Sequence, residues 1–91
     1  MTLLEVIARA REAVKLLTAL PIDQVVQSDK VADGWRVQVD VIEVRARMGD
    51  NDLLATYEVT LDGTGELVGF KRTNRYNREA GAQSGAAGAA A

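Results

Sequence analysis

The first twenty residues carry apolar side chains at the spacing of an amphipathic helix. Thr2 and Glu5 have the spacing of a capping box, in which a hydroxyl and a carboxylate bind backbone N–H groups at a helix start. Pro21 predicts the end of the helix, because proline disfavours helical geometry in the residue before it. The apolar stripe consists of Leu3, Ile7, Ala10, Val14 and Leu17, widened by Val6, Ala13 and Leu20. We therefore expect one amphipathic helix of about five turns.

After this helix the period of the apolar residues changes to two. Residues 22–31 predict a weak strand, which a short turn separates from the next one. From Trp35 to Val41 every second residue is apolar, which indicates a strand with one buried face. At Ile42 the phase changes, and two interpretations are open. Either a β-bulge at Val41-Ile42 returns Ile42 and Val44 to the buried face, or these two side chains point outward and form a docking surface.

The second half of the sequence predicts a β-hairpin. Residues 53–61 alternate regularly between apolar and polar, after a polar loop at 48–52. Residues 62–65 predict a hairpin turn, because their two glycines adopt positive φ at little cost. Glu66 to about Tyr76 then forms the return strand.

The turn also predicts a register for this hairpin. If Leu61 pairs with Glu66, Tyr57 faces Phe70, so that two aromatic rings lie side by side on the core face. The same register places Val59 opposite Val68.

Together these elements predict an α+β fold. One N-terminal amphipathic helix packs on one face of a three- to four-stranded antiparallel β-meander, and the other face meets water or a partner. We expect a single domain over residues 1–78. Residues 79–91 are rich in glycine and alanine, which predicts a flexible, disordered or frayed tail.

The composition removes several kinds of chemistry. The chain has no cysteine and no histidine, which excludes a disulfide framework and thiol catalysis and removes the commonest general base. Asp50 and Asp52 resemble the start of a calcium loop, but the glycine and glutamate that such a loop needs are missing. We expect no enzymatic activity, no cofactor, no metal and no small-molecule substrate.

The charges divide the chain into an acidic body and a short basic segment. Residues 1–70 carry 7 basic and 12 acidic side chains, whereas residues 71–78 carry four basic side chains and no acid. The candidate partner-binding residues are Lys71, Arg72, Arg75, Tyr76 and Arg78. Three interpretations are open: a solvated strand end, a docking surface for a protein, or a nucleic-acid contact with Tyr76 stacking on bases.

The sequence also bears on location. No secretory signal precedes the amphipathic stretch, and no apolar run approaches the roughly 18 residues that span a bilayer. We therefore expect a cytoplasmic protein without membrane contact.

Two segments carry a family resemblance. The first is the strand of residues 33–44, which begins Asp-Gly-Trp-Arg-Val. The second is the Leu-Ala-Thr-Tyr-Glu-Val block within residues 53–62, continued by Gly-Glu-Leu-Val-Gly-Phe at 65–70 and by the basic segment. In this order the segments resemble the gas vesicle protein O family, over about residues 3–78.

The resemblance implies a cytoplasmic, vesicle-associated accessory role in gas vesicle assembly, outside the shell itself. It implies protein partners, either other accessory factors or the shell subunit, and no catalysis. We therefore expect an interaction module. The alternative is an RNA-binding regulator of gas vesicle gene expression that acts through the basic segment.

Overall fold

The chain folds into one helix followed by four strands. The computed structural model describes residues 1–48 and 51–79. The elements are α1 (Leu3–Thr18), β1 (Ile22–Val31), β2 (Gly34–Val44), β3 (Leu53–Asp62) and β4 (Leu67–Asn77). The strands form one antiparallel sheet in the order β1-β2-β3-β4, which confirms the predicted α+β meander and fixes the number of strands at four. The predicted tail, apart from its first residue, lies outside the described residues.

Both ends of α1 are capped. The Thr2 hydroxyl accepts a hydrogen bond from the Glu5 N–H at 3.2 Å, and the Glu5 carboxylate accepts one from the Thr2 N–H at 2.9 Å. This confirms the capping box. At the other end Ala19 adopts a left-handed conformation with φ of 56°. The helix thus ends at Thr18, earlier than Pro21 alone suggests, and has 16 residues.

The helix packs on the sheet through its middle turns. Val6, Ala10 and Val14 are fully buried, whereas Leu3 and Leu17 at the two ends of the predicted stripe stay about half exposed. A straight helix meets a twisted sheet over only part of its length, which explains why the ends of the stripe lie outside the core.

The core lies between α1 and the two central strands. Its sheet side is built from alternate residues of β2 and β3, namely Val37, Val39, Val41, Ala55, Val59 and Leu61. Tyr57 and Phe70 extend this layer toward β4 with stacked rings, whose centroids are 5.0 Å apart. The predicted contact between the two aromatic rings is therefore confirmed.

The predicted register of the hairpin is wrong. Leu61 lies opposite Leu67, and Val59 lies opposite Phe70. The Asp62 carboxylate accepts hydrogen bonds from backbone N–H groups of the turn, which favours a turn that closes one residue later. An extra residue in β4, Val68, then shifts the register again, so that the two aromatic rings meet diagonally.

The phase change in β2 matches neither of the two interpretations, a bulge at Val41-Ile42 or an outward-facing pair of Ile42 and Val44. The irregularity lies at Glu43, between Ile42 and Val44, and not at Val41-Ile42. Ile42 is buried on the face opposite the helix, where Leu54 is its partner across the strands, and Val44 is exposed. Ile42 therefore neither joins the main core nor forms an exposed docking pair.

Candidate interaction surface

The five residues predicted to bind a partner lie on or directly after an edge strand. β4 is the last strand of the sheet, and it contributes Lys71, Arg72, Arg75 and Tyr76, while Arg78 follows its end. The first three are exposed, whereas Tyr76 and Arg78 are half-buried. The structure therefore divides the predicted site into two parts with different surroundings.

Arg72 and Arg75 share one carboxylate. The Arg75 Nε lies 2.8 Å from one Glu43 oxygen, and the Arg72 Nη1 lies 3.3 Å from the other. The Glu43 side chain is only 14% exposed, whereas each arginine side chain keeps 51% of its surface exposed. Glu43 therefore holds the guanidinium groups of both arginines in position, and each guanidinium still has N–H groups that face outward.

Lys71 precedes Arg72 on β4, and its side chain points to the other face of the sheet, so that the exposed cations flank this edge on both sides. It lies opposite Glu58 in the register, but the carboxylate of Glu58 pairs with Arg36 at 3.3 Å. Lys71 makes no ion pair with any residue in the ranges 1–48 and 51–79. We call Lys71, Arg72 and Arg75 together the β4 cationic surface.

Tyr76 is part of a buried polar cluster on the sheet face opposite the helix. Its hydroxyl donates to one oxygen of Asp40, and the Thr56 hydroxyl donates to the other oxygen at 2.5 Å. Asp40 is 1% exposed, so that its two hydrogen bonds replace the water it has lost. Burial and the adjacent Asp40 carboxylate raise the pKa of Tyr76 to about 12. The hydroxyl of Tyr76 is therefore occupied within the fold.

Arg78 is likewise held within the fold. Its Nη2 lies 2.9 Å from an oxygen of Asp23 on β1 and 3.3 Å from an oxygen of Asp52, which precedes β3. The hydrogen bond from Arg78 to Asp23 raises the pKa of the guanidinium. The Ala46 N–H and Arg78 lower the pKa of Asp52. Arg78 thus ties the end of β4 to the opposite edge of the sheet.

The sequence does not indicate which acidic residues contact the basic segment at residues 71–78. Glu43 and Asp23 both occupy positions where the register shifts, so the alternation of residues does not show where they point. Asp40 follows the polar positions of a regular strand, where a solvated side chain is expected. Asp52 lies in the predicted polar loop at residues 48–52, of which Gly49 and Asp50 lie outside the described residues.

The described residues offer little other chemistry. Within residues 1–48 and 51–79 there is no group of three or more acidic, histidine or cysteine side chains that could hold a metal ion. No helix in these ranges is long and apolar enough to cross a membrane.

Comparisons with known proteins agree with the resemblance seen in the sequence. The family model described as gas vesicle synthesis protein GvpO matches residues 1–82. The chain is 37% identical to gas vesicle protein O1 of Halobacterium salinarum over 70 residues, which are 77% of this chain and 59% of that protein.

Two further relatives are both named gas vesicle protein O. The protein from Haloferax mediterranei is 37% identical over 71 residues, covering 77% of this chain and 51% of the relative. The protein from a Streptomyces species is 44% identical over 63 residues, covering 68% and 48%. The matched region thus spans about half the length of the relatives, and no solved structure matches the chain significantly. The chain belongs to the GvpO family of gas vesicle synthesis proteins.

Proposed function

We propose that this chain acts in gas vesicle synthesis as a non-catalytic accessory protein that is not part of the shell lattice. In this proposal it works in the cytoplasm, in association with gas vesicles, and binds another gas vesicle protein. Membership of the GvpO family supports a role in gas vesicle synthesis. The β4 cationic surface supports action through binding of another protein. The missing cysteine and histidine favour binding over catalysis.

The observation that carries the proposal is the sharing of Glu43 by two half-exposed arginines. An ion pair that fixes Arg72 and Arg75 removes part of their side-chain freedom before a partner arrives, which lowers the entropic cost of binding. Arginine is also enriched among residues that contribute most to protein interfaces. The surface therefore suits an acidic patch on a partner protein.

Side-chain recognition fits this edge better than strand addition. β4 carries register shifts at Val68 and at Thr73. Bulges of this kind twist an edge strand and disfavour the regular pairing that an added strand requires. The expected partner thus contacts the cationic side chains rather than the backbone of β4.

The RNA-binding alternative finds less support. The three arginines of the basic segment face Glu43, Asp23 and Asp52, so that much of their charge is balanced locally. Tyr76 is held by Asp40 and is not free to stack on a base. We expect no RNA binding by filter retention at low salt. An affinity that falls steeply with added salt would instead support the alternative.

The test measures gas vesicle formation in a host whose own copy of the gene is deleted. The variant combines Lys71→Ala, Arg72→Gln and Arg75→Gln with Glu43→Gln, because removing the arginines alone would leave a nearly buried carboxylate unpaired. Glu43→Gln alone is the matched control.

The proposal predicts that the combined variant forms no gas vesicles. The control should form fewer than the unmodified chain, because its arginines keep their charge but lose the ion pair that orients them. Both proteins should melt at similar temperatures. Normal vesicle yield from the combined variant would contradict the role of the β4 cationic surface. Loss of vesicles in both strains together with a lowered melting temperature would assign Glu43 to folding and remove the support drawn from its ion pairs.

A further inference from the structure

The flank of α1 that borders β1 carries an open groove that is lined by both apolar and charged side chains. Leu4, Ile7 and Ala8 line it from the helix, and Ile22 lines it from the start of β1, around a volume of about 380 Å³. Leu4 is 80% exposed and takes no part in the core. An exposed leucine beside further apolar groups gains free energy when a partner covers it.

Two of the helix side chains that line this groove are cations. Leu4, Ala8, Arg11 and Lys15 follow one another at steps of four, three and four, so that they form a single row. At 1.5 Å per residue the row is about 16 Å long, or roughly three helical turns. It matches the length of a short partner helix laid alongside α1.

The charge of this row differs from that of the surrounding surface. Arg11 and Lys15 make no ion pair within the described ranges 1–48 and 51–79, and Glu12 is the one acid that lines the groove. Residues 1–70 as a whole carry five more acidic than basic side chains. An acidic partner is therefore repelled by most of the body and attracted at this row.

We propose that this groove binds an acidic amphipathic helix of about three turns from another protein of the gas vesicle machinery. Its apolar side chains would cover Leu4 and Ile7, and its carboxylates would lie beside Arg11 and Lys15. Ala8 lets the two helices approach closely. The inference rests on the proposed interaction role, but it concerns the edge of the sheet opposite to the β4 cationic surface.

A second copy of this chain fits the groove less well. In a parallel pair of helices, the cations of one copy would face those of the other. In an antiparallel pair, Leu4 of one copy would face Lys15 of the other, and four cations would share two Glu12 carboxylates. Charge complementarity thus favours an acidic helix from a different protein.

The test uses the full chain and two fluorescent helical peptides of about 14 residues, roughly four turns. Both peptides carry the same leucine stripe, which is flanked by glutamates in one and by lysines in the other. Fluorescence anisotropy measures their affinity for the chain and for three variants. Leu4→Asn removes the apolar contact, and Leu16→Asn is the control, because Leu16 is 73% exposed but does not line the groove. Arg11→Glu with Lys15→Glu reverses the charge.

The inference predicts that the chain prefers the acidic peptide, and that Leu4→Asn weakens binding about tenfold, since burial of a leucine is worth at least that factor. Leu16→Asn should leave the affinity unchanged, and the charge reversal should switch the preference to the lysine peptide.

Four results would overturn the inference: absence of binding to the acidic peptide, equal loss in both leucine variants, a dimer that Leu4→Asn dissociates, or binding of anionic lipid vesicles in place of the peptide. If the acidic peptide does not bind, but the combined β4 variant fails to form gas vesicles, then the groove does not bind such a helix and the proposed function is still supported.

Discussion

The two parts of the basic segment relate to the fold in opposite ways. In the β4 cationic surface, Arg72 and Arg75 rest on one carboxylate and keep half of their side-chain surface exposed. Directly after Arg75 in the sequence, Tyr76 and Arg78 are half-buried and contact acidic side chains of other strands. The comparison shows that side chains adjacent in sequence either stay exposed or become part of the fold, according to which acids the register brings near them.

Removal of Asp40 should have the largest effect on the part of the basic segment that belongs to the fold. Asp40→Ala leaves the hydroxyls of Tyr76 and Thr56 without their acceptor in a buried site, and we expect it to lower the free energy of unfolding by about 2 to 3 kcal/mol. Urea denaturation measures this loss. Asp33→Ala, which removes an exposed carboxylate from the turn between β1 and β2, is the control and should change little. Equal effects of the two variants would contradict a structural role for the cluster.

Tyr76→Phe tests the same cluster with a smaller change. It removes one of the two hydrogen bonds that the buried Asp40 carboxylate accepts, and we expect a loss of about 1.5 to 2 kcal/mol. Tyr57→Phe is the matched control, because Tyr57 contributes its ring to the stack with Phe70 and no hydroxyl to Asp40.

The pH dependence of the stability provides a further test of the contact between Tyr76 and Asp40. The pKa of Tyr76 is raised from 10.0 to about 12, so the folded protein holds the phenolic proton more tightly than the unfolded chain. Its stabilising contribution is complete below about pH 10 and is lost as the pH rises toward 12. The stability difference between the unmodified chain and Tyr76→Phe should narrow over this range. A constant difference would contradict the contact with Asp40.

Arg78 should give a still smaller effect, because its side chain is about one-third exposed and water weakens its ion pairs. Arg78→Ala should lower the melting temperature less than Tyr76→Phe does, and Arg78→Lys should restore only part of the loss, since lysine lacks the fork that spans two carboxylates. The Ala46 N–H and, after it, Arg78 lower the pKa of Asp52 below its ordinary 3.8. The part of the stabilisation that Arg78 contributes through Asp52 is therefore present above that pH and is lost as the pH falls below it. The difference in melting temperature between the unmodified chain and Arg78→Ala should therefore shrink below about pH 4.

The smallest effect on stability is expected at Lys71. Lys71→Ala removes an exposed charge without an ion pair in the described part of the chain, and the free energy of unfolding should change by less than about 0.5 kcal/mol. Thermal unfolding followed by circular dichroism measures it. A loss as large as that of Tyr76→Phe would mean that the β4 cationic surface also supports the fold.

Most of the fold was predictable from local patterns. The capping box at Thr2 and Glu5 and the alternation from Trp35 to Val41 follow from spacings within one element. The contact between Tyr57 and Phe70 was predicted from a direct pairing, but it forms diagonally in a different register. The register was not predictable, because it depends on extra residues in the edge strands and in β2, which adapt the sheet to its neighbours.

The candidate site was predictable only as a cluster of charges. The sequence identifies the cations, but the contacts that decide their roles join Asp40 to Tyr76 and Asp23 to Arg78 across 36 and 55 residues. Such contacts depend on the order and register of all four strands. A strand residue that looks solvated, such as Asp40, is therefore found in the buried site only once the sheet has been assembled.

In the proposed function, the exposed side chains of β4 bind another gas vesicle protein. Photo-crosslinking in vesicle-forming cells tests it most directly, with a photoreactive amino acid at Lys71 and, as the control, at Lys30 near the distant turn between β1 and β2. We predict a crosslink from position 71 to a gas vesicle protein, identified by mass spectrometry, and none to that protein from position 30. No adduct from position 71, or the same adduct from both positions, would contradict the claim.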